Sequence, residues 1–159
     1  MEQRTLSKWL KIIIIGVGIC GAVVYIFIFP EYGQSLIYDY PEYSYCYWPW
    51  LIFLWITGIP CYGVLILAWK IASNIGINRS FSIQNAKLMK GISLLAAIDS
   101  GFFFIGNLVY LFLNMNHPGI VLLALIGVFF GIAVAVAAAA LSHLIMKAAQ
   151  LQEQSDLTI

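Results

Sequence analysis

The sequence predicts an all-α integral membrane protein, a four-helix bundle with both termini on the cytoplasmic side. Three observations predict it. Apolar residues make up 62% of the 159 residues and charged residues 9%, against about 25% charged in a soluble domain, so the chain has too few charges to cover a water-facing surface. Four apolar runs, 12–29, 51–69, 91–113 and 119–146, are long enough to cross a bilayer. All eight basic residues fall in the N-terminal segment, the 70–90 connector or the start of the tail, whereas connectors 30–50 and 114–118 hold no Lys or Arg. That asymmetry predicts that the termini and the 70–90 connector lie on the cytoplasmic side of the cell membrane.

The first run, IIIIGVGICGAVVYIFIF, follows a basic start and reads as a retained anchor, since no small-residue cleavage site closes it. Its Gly16, Gly18 and Gly21 lack the strand–turn–helix context of a dinucleotide site and read as packing glycines. Residues 30–50 form an external aromatic loop with six Tyr, two Trp and three Pro. Pro30, Pro41 and Pro49 argue against continuous helix there. Its rings suit an interfacial belt, and its acids Glu31, Asp39 and Glu42 offer a surface for a cation.

The second run carries Gly58 and Pro60 near its middle, so a kink is expected, with Thr57 or a neighbour satisfying the freed carbonyl. In the 70–90 connector, Ser82 reads as the cap of a short helix leading into the third run. Lys70, Arg79, Lys87 and Lys90 have no acidic neighbour there. Phe81, Ile83, Leu88 and Met89 give the segment an apolar side. It reads either as an amphipathic surface on the inner leaflet or as a docking surface for a cytoplasmic protein, through Phe81, Ser82, Asn85, Lys87 and Met89. The basic cluster is too small and too close to the membrane for direct nucleic-acid binding.

The third run contains one acid, Asp99, nine residues past Lys90. At 1.5 Å per residue it lies ~13 Å deep, close to the middle of a ~30 Å core. A carboxylate there must face other helices, among them a neighbour brought close by Ala96 or Gly106. It is either a proton-, ion- or ligand-linked site or a hydrogen-bonding tie between helices. Asn107, a second polar position, lies about 80° around the helix from it. The fourth run brings Gly127, Gly131 and Ala135 to a four-residue ridge of small residues, for packing against the first or third run or against a second copy. His143 continues that ridge and is a candidate partner for Asp99. The tail, 147–159, reads as short, polar and frayed. Cys20, Cys46 and Cys61 give neither a disulfide framework nor metal spacing.

The run Phe81-Ser82-x-x-Asn85-x-x-x-Met89-x-x-Ile92 resembles a YoaS-like family of small bacterial four-span membrane proteins of unknown function. Met89 stands where that family more often has Leu. The resemblance implies a regulatory or stress-related role at the membrane, with a small helix-turn-helix regulator as partner, and carries over no catalytic residue.

No catalytic motif, cofactor motif or paired carboxylates occur, and His117 and His143 fall on opposite sides of the membrane, so an enzyme is not expected. The leading expectation is a membrane interaction protein that docks a cytoplasmic partner through 70–90. The alternative is an oligomeric transporter- or channel-like protein, or an immunity protein against a membrane-active peptide, that uses Asp99.

Overall fold

In the computed structural model, which describes residues 2–156, four helices are long and apolar enough to cross a membrane. They are α1 (Gln3–Asp39), α2 (Pro41–Gly76), α3 (Ile83–Phe112) and α4 (Pro118–Asp156). The joints between them are short, so consecutive helices run antiparallel. One end of the array carries the basic residues and both termini. The other carries the aromatic segment and the turn before Pro118.

The aromatic segment is more helical than its prolines suggest. α1 passes straight through Pro30 and stops only at Tyr40. A five-residue π-helical stretch, Val24–Ile28, precedes Pro30, and the ring enters at the first turn of the α-helical stretch that follows. The proline has no N–H to give the Tyr25 carbonyl five residues back, and that carbonyl accepts from Trp55 Nε1 at 2.9 Å instead. Pro41 likewise opens a short 3₁₀ stretch, Pro41–Cys46, which runs into Tyr47–Gly76. The break in the expected loop is therefore a single residue. At the basic end the expected long connector shrinks in the same way: α2 runs to Gly76 and α3 starts at Ile83, continuous with the span rather than a separate short helix. α4 also carries its helix through most of the expected frayed tail, to Asp156, and residues 157–159 lie outside the described residues.

Packing follows chain order. α1 packs on α2, α2 on α3 and α3 on α4, and among the described residues no contact joins α1 to α4. The bundle is thus an open array. Its tightest joint is α3–α4. Buried positions recur every seven residues on both helices: Ala86, Ser100 and Asn107 on α3, with half-buried Ser93 in the same series, and Val121, Val128, Ala135, Ser142 and Ala149 on α4. A seven-residue repeat keeps a seam in register between two supercoiled helices. Ser93 Oγ donates to the Ala135 carbonyl and Ser142 Oγ to the Ala86 carbonyl, each at 2.7 Å. Small side chains let the backbones approach, and each hydroxyl then reaches across.

At the aromatic end, Phe53 of α2 is buried among Trp50, Phe102, Phe103 and Tyr110. Gly106 makes room for the Phe53 ring, which lies where a Cβ would stand. Trp50 Nε1 donates to the Met115 carbonyl at 2.8 Å, and the Tyr110 hydroxyl to the Pro49 carbonyl at 2.9 Å, so the turn before α4 is tied to the start of α2.

Candidate functional site

Asp99 projects from α3 toward α2, where Cys61 Sγ donates to its Oδ2 at 3.6 Å. A thiol is a weak donor. The other carboxyl oxygen, Oδ1, is enclosed and has no hydrogen-bond partner. One turn along α2, Thr57 is buried and its hydroxyl donates to the Leu54 carbonyl at 2.6 Å. Thr57 therefore bonds that carbonyl and not the one freed by Pro60. Its single proton is used there, so the Tyr25 hydroxyl, 3.2 Å away, is the donor between the two. Tyr25 lies in the π-helical stretch of α1, and its own carbonyl accepts from Trp55 Nε1 at 2.9 Å. Gly58 lets the Tyr25 ring lie against α2, 3.4 Å from where a Cβ would be. The Cys61 thiol neighbours the Tyr25 phenol as well as the carboxyl. Tyr25, Thr57, Cys61 and Asp99 thus form one polar cluster across three helices, near the middle of α3. An enclosed carboxyl oxygen without a donor can take one proton or one hydrogen-bond donor. Among the described residues no group of three His, Cys, Asp or Glu gathers around a metal position.

The other polar candidates do not join this cluster. Asn107 is buried near the aromatic end, where its amide donates to the Phe103 carbonyl at 2.8 Å and its side-chain oxygen accepts from Asn116 at 3.2 Å. It closes the turn before α4. His143 is exposed on α4, next to Ser142, whose partner Ala86 lies thirteen residues before Asp99 on α3. That is ~20 Å along the axis, so an Asp99–His143 couple does not form. The expected four-residue ridge on α4 faces α3: Gly131 lies against Ser100, the Ala135 carbonyl accepts from Ser93, and Gly127 is more open, with Phe103 at 3.8 Å from an added Cβ. The GxxxG step and the seven-residue seam meet at Ala135.

The second candidate region is the turn 77–82 with the start of α3. Ser82 caps α3, its hydroxyl accepting from the Asn85 N–H at 3.2 Å. Asn85 is 1% exposed. Its amide donates to the Arg79 and Ser80 carbonyls, both at 3.0 Å, and its oxygen accepts from Asn74 at 2.7 Å. Asn78 takes the left-handed conformation, φ 61°, that turns the chain. Asn85 is thus spent inside the turn. Phe81, 62% exposed, Ile77, Ile83 and Lys87 remain on its outside, with Met89 half-buried.

Sequence reasoning missed Cys61, Tyr25 and Thr57 as companions of Asp99, and Asn74 as the partner of Asn85. A depth count would have found the first. Cys61 lies nine residues before Lys70 and Asp99 nine after Lys90.

Comparison with known proteins agrees with the resemblance carried by the Phe81–Ile92 run. The chain is 31% identical over 159 residues, 99% of each chain, to the "Uncharacterized membrane protein YoaS" of Bacillus subtilis (strain 168). No solved structure matches it. Residues 32–159 match the family described as "Protein of unknown function (DUF2975)". A four-helix membrane protein matched over most of its length by that description, and over nearly all of it by YoaS, belongs to the DUF2975 family.

Proposed function

We propose that this protein is a membrane-anchored interaction protein whose basic turn, 77–82 with the start of α3, faces the cytoplasm and docks a soluble protein. One observation carries the reading: Phe81 is 62% exposed at the tip of a turn that Asn85, Ser82 and Asn74 hold in one conformation. A rigid turn presents an aromatic ring without the ordering cost that a flexible loop would add on binding. Arg79 and Lys87 flank the ring, so the surface suits a partner with an acidic, apolar patch. The resemblance above implies a small helix-turn-helix regulator, held at the membrane by the contact and free to bind DNA when released.

A photo-crosslinking residue at position 81 tests this, with position 94, exposed on α3 just past Lys90, as the lipid-facing control. The expected result is a protein adduct at 81 and none at 94, and the same protein should co-purify with a tagged wild-type copy but not with a tagged Phe81→Ala copy. Lipid adducts alone at 81 would remove the docking role.

A second reading rests on the unpartnered Asp99 Oδ1. In it the polar cluster at Asp99 serves transport or peptide immunity in an oligomer. Asp99→Asn in a flux or peptide-challenge assay decides it, since unchanged flux and unchanged survival would leave the cluster no such role.

A further inference from the structure

A groove of about 310 Å³ runs along the α1–α2 joint on the basic half of the molecule. Its walls are apolar: Ile14 on α1, Leu65 and Ile66 on α2. Gly18 widens it, with only Leu65 near its absent Cβ, at 3.7 Å. The Tyr62 hydroxyl closes the deep end by donating to the Gly18 carbonyl at 2.8 Å. Trp69 and Lys70 form the shallow end. Lys11 reaches the same level from α1, its Nζ 5.1 Å from the centre of the Trp69 ring.

The dimensions are those of one lipid chain in one leaflet. From Tyr62 to Lys70 is eight residues of helix, ~12 Å, against ~15 Å for half of the hydrocarbon core. The electrostatics select the headgroup. Lys70 lines the mouth and Lys11 lies over Trp69 beside it, and no acidic residue occurs in Gln3–Phe29 or in Tyr47–Gly76 to neutralise them. Nor does the larger groove, about 410 Å³ between α3 and α4, share this character, because no charged residue lines it. We propose that the α1–α2 groove binds one anionic phospholipid, its phosphate held between Lys11 and Lys70 beside Trp69 and one acyl chain lying in the channel down to Tyr62. Basic pockets between membrane helices take anionic headgroups in this way, and tryptophan belongs at that depth.

The test is native mass spectrometry of the full-length protein in detergent with added phosphatidylglycerol or phosphatidylcholine. The wild type is expected to prefer phosphatidylglycerol by about tenfold or more, from two lysines at the headgroup. The double variant Lys11→Gln/Lys70→Gln is expected to lose the preference, and Lys11→Arg/Lys70→Arg to keep it, which separates charge from folding. Gly18→Leu should lower occupancy by both lipids, whereas Ala97→Leu, in the α3–α4 groove, should change neither. Equal binding of the two lipids by the wild type, or a preference that survives loss of both lysines, overturns the proposal. So does displacement of the lipid by excess inorganic phosphate, since the acyl chain would then contribute nothing.

Discussion

Asn74 and Asn85 face each other across the turn that joins α2 to α3, the Asn74 amide donating to the Asn85 side-chain oxygen at 2.7 Å. With both Asn85 amide protons given to the Arg79 and Ser80 carbonyls, one buried side chain holds three parts of the turn. Asn85→Ala would leave those groups without partners in a buried place. The expected loss is about 2–3 kcal/mol of stability, read by denaturant titration in micelles. Asn85→Asp keeps the acceptor but turns a carboxyl oxygen toward the Arg79 and Ser80 carbonyl oxygens in a buried place, so it should cost at least as much as Asn85→Ala.

The serines of the α3–α4 seam should behave as independent ties. Ser93→Ala and Ser142→Ala each remove one interhelical bond, and each is expected to cost about 0.6–1.7 kcal/mol. The two bonds are seven residues apart along each helix, ~10 Å, far enough for their costs to add within about 0.5 kcal/mol. A double-variant cycle by thermal unfolding in detergent checks both statements.

Glycine by glycine, tolerance to a side chain should follow what lies opposite. Gly131→Val would drive a methyl into Ser100, and Gly106→Val into the Phe53 ring. Both should lose about 1–3 kcal/mol through overpacking. The Cβ of Gly127→Val meets only Phe103, at 3.8 Å, and that of Gly16→Val nothing within 4 Å. These two should stay within about 0.5 kcal/mol of the wild type. Comparing thermal midpoints of the four purified variants decides the ranking.

Asp99 offers a sharper contrast. A structural tie loses stability when removed, but Oδ1 has no partner and Oδ2 only a thiol. Asp99→Ala is therefore expected to leave stability within about 1 kcal/mol of the wild type, or to raise it. A loss beyond about 2 kcal/mol in the same unfolding assay would show that the carboxyl holds the helices together and remove the case for a binding role.

How much of this was legible beforehand depended on range. The four spans follow from unbroken apolar runs, and the Ser82 cap from a short polar side chain just ahead of IQNAKLMK, both local signals. Pro30 misled because its meaning depends on the backbone around it: after a π-helical stretch it opens a helical turn instead of ending one. The small-residue ridge was legible as far as one helix allows. Gly127, Gly131 and Ala135 do face α3, as a four-residue rule predicts, but the buried seam also runs through Val121, Val128 and Ser142, whose sevenfold spacing matches a partner helix and cannot be judged on α4 alone. Cys61 passed for a small apolar residue because its interest lies entirely in Asp99, thirty-eight positions away.

That no contact among the described residues joins α1 to α4 bears on how such a molecule is made. Every interhelical surface among them is shared by successive hairpin arms. Each can therefore close as soon as its second arm enters the bilayer, and none has to wait for the last helix to come round and meet the first. A ribbon of this kind assembles in the order of its synthesis, and its widest seam is completed only when the final arm arrives.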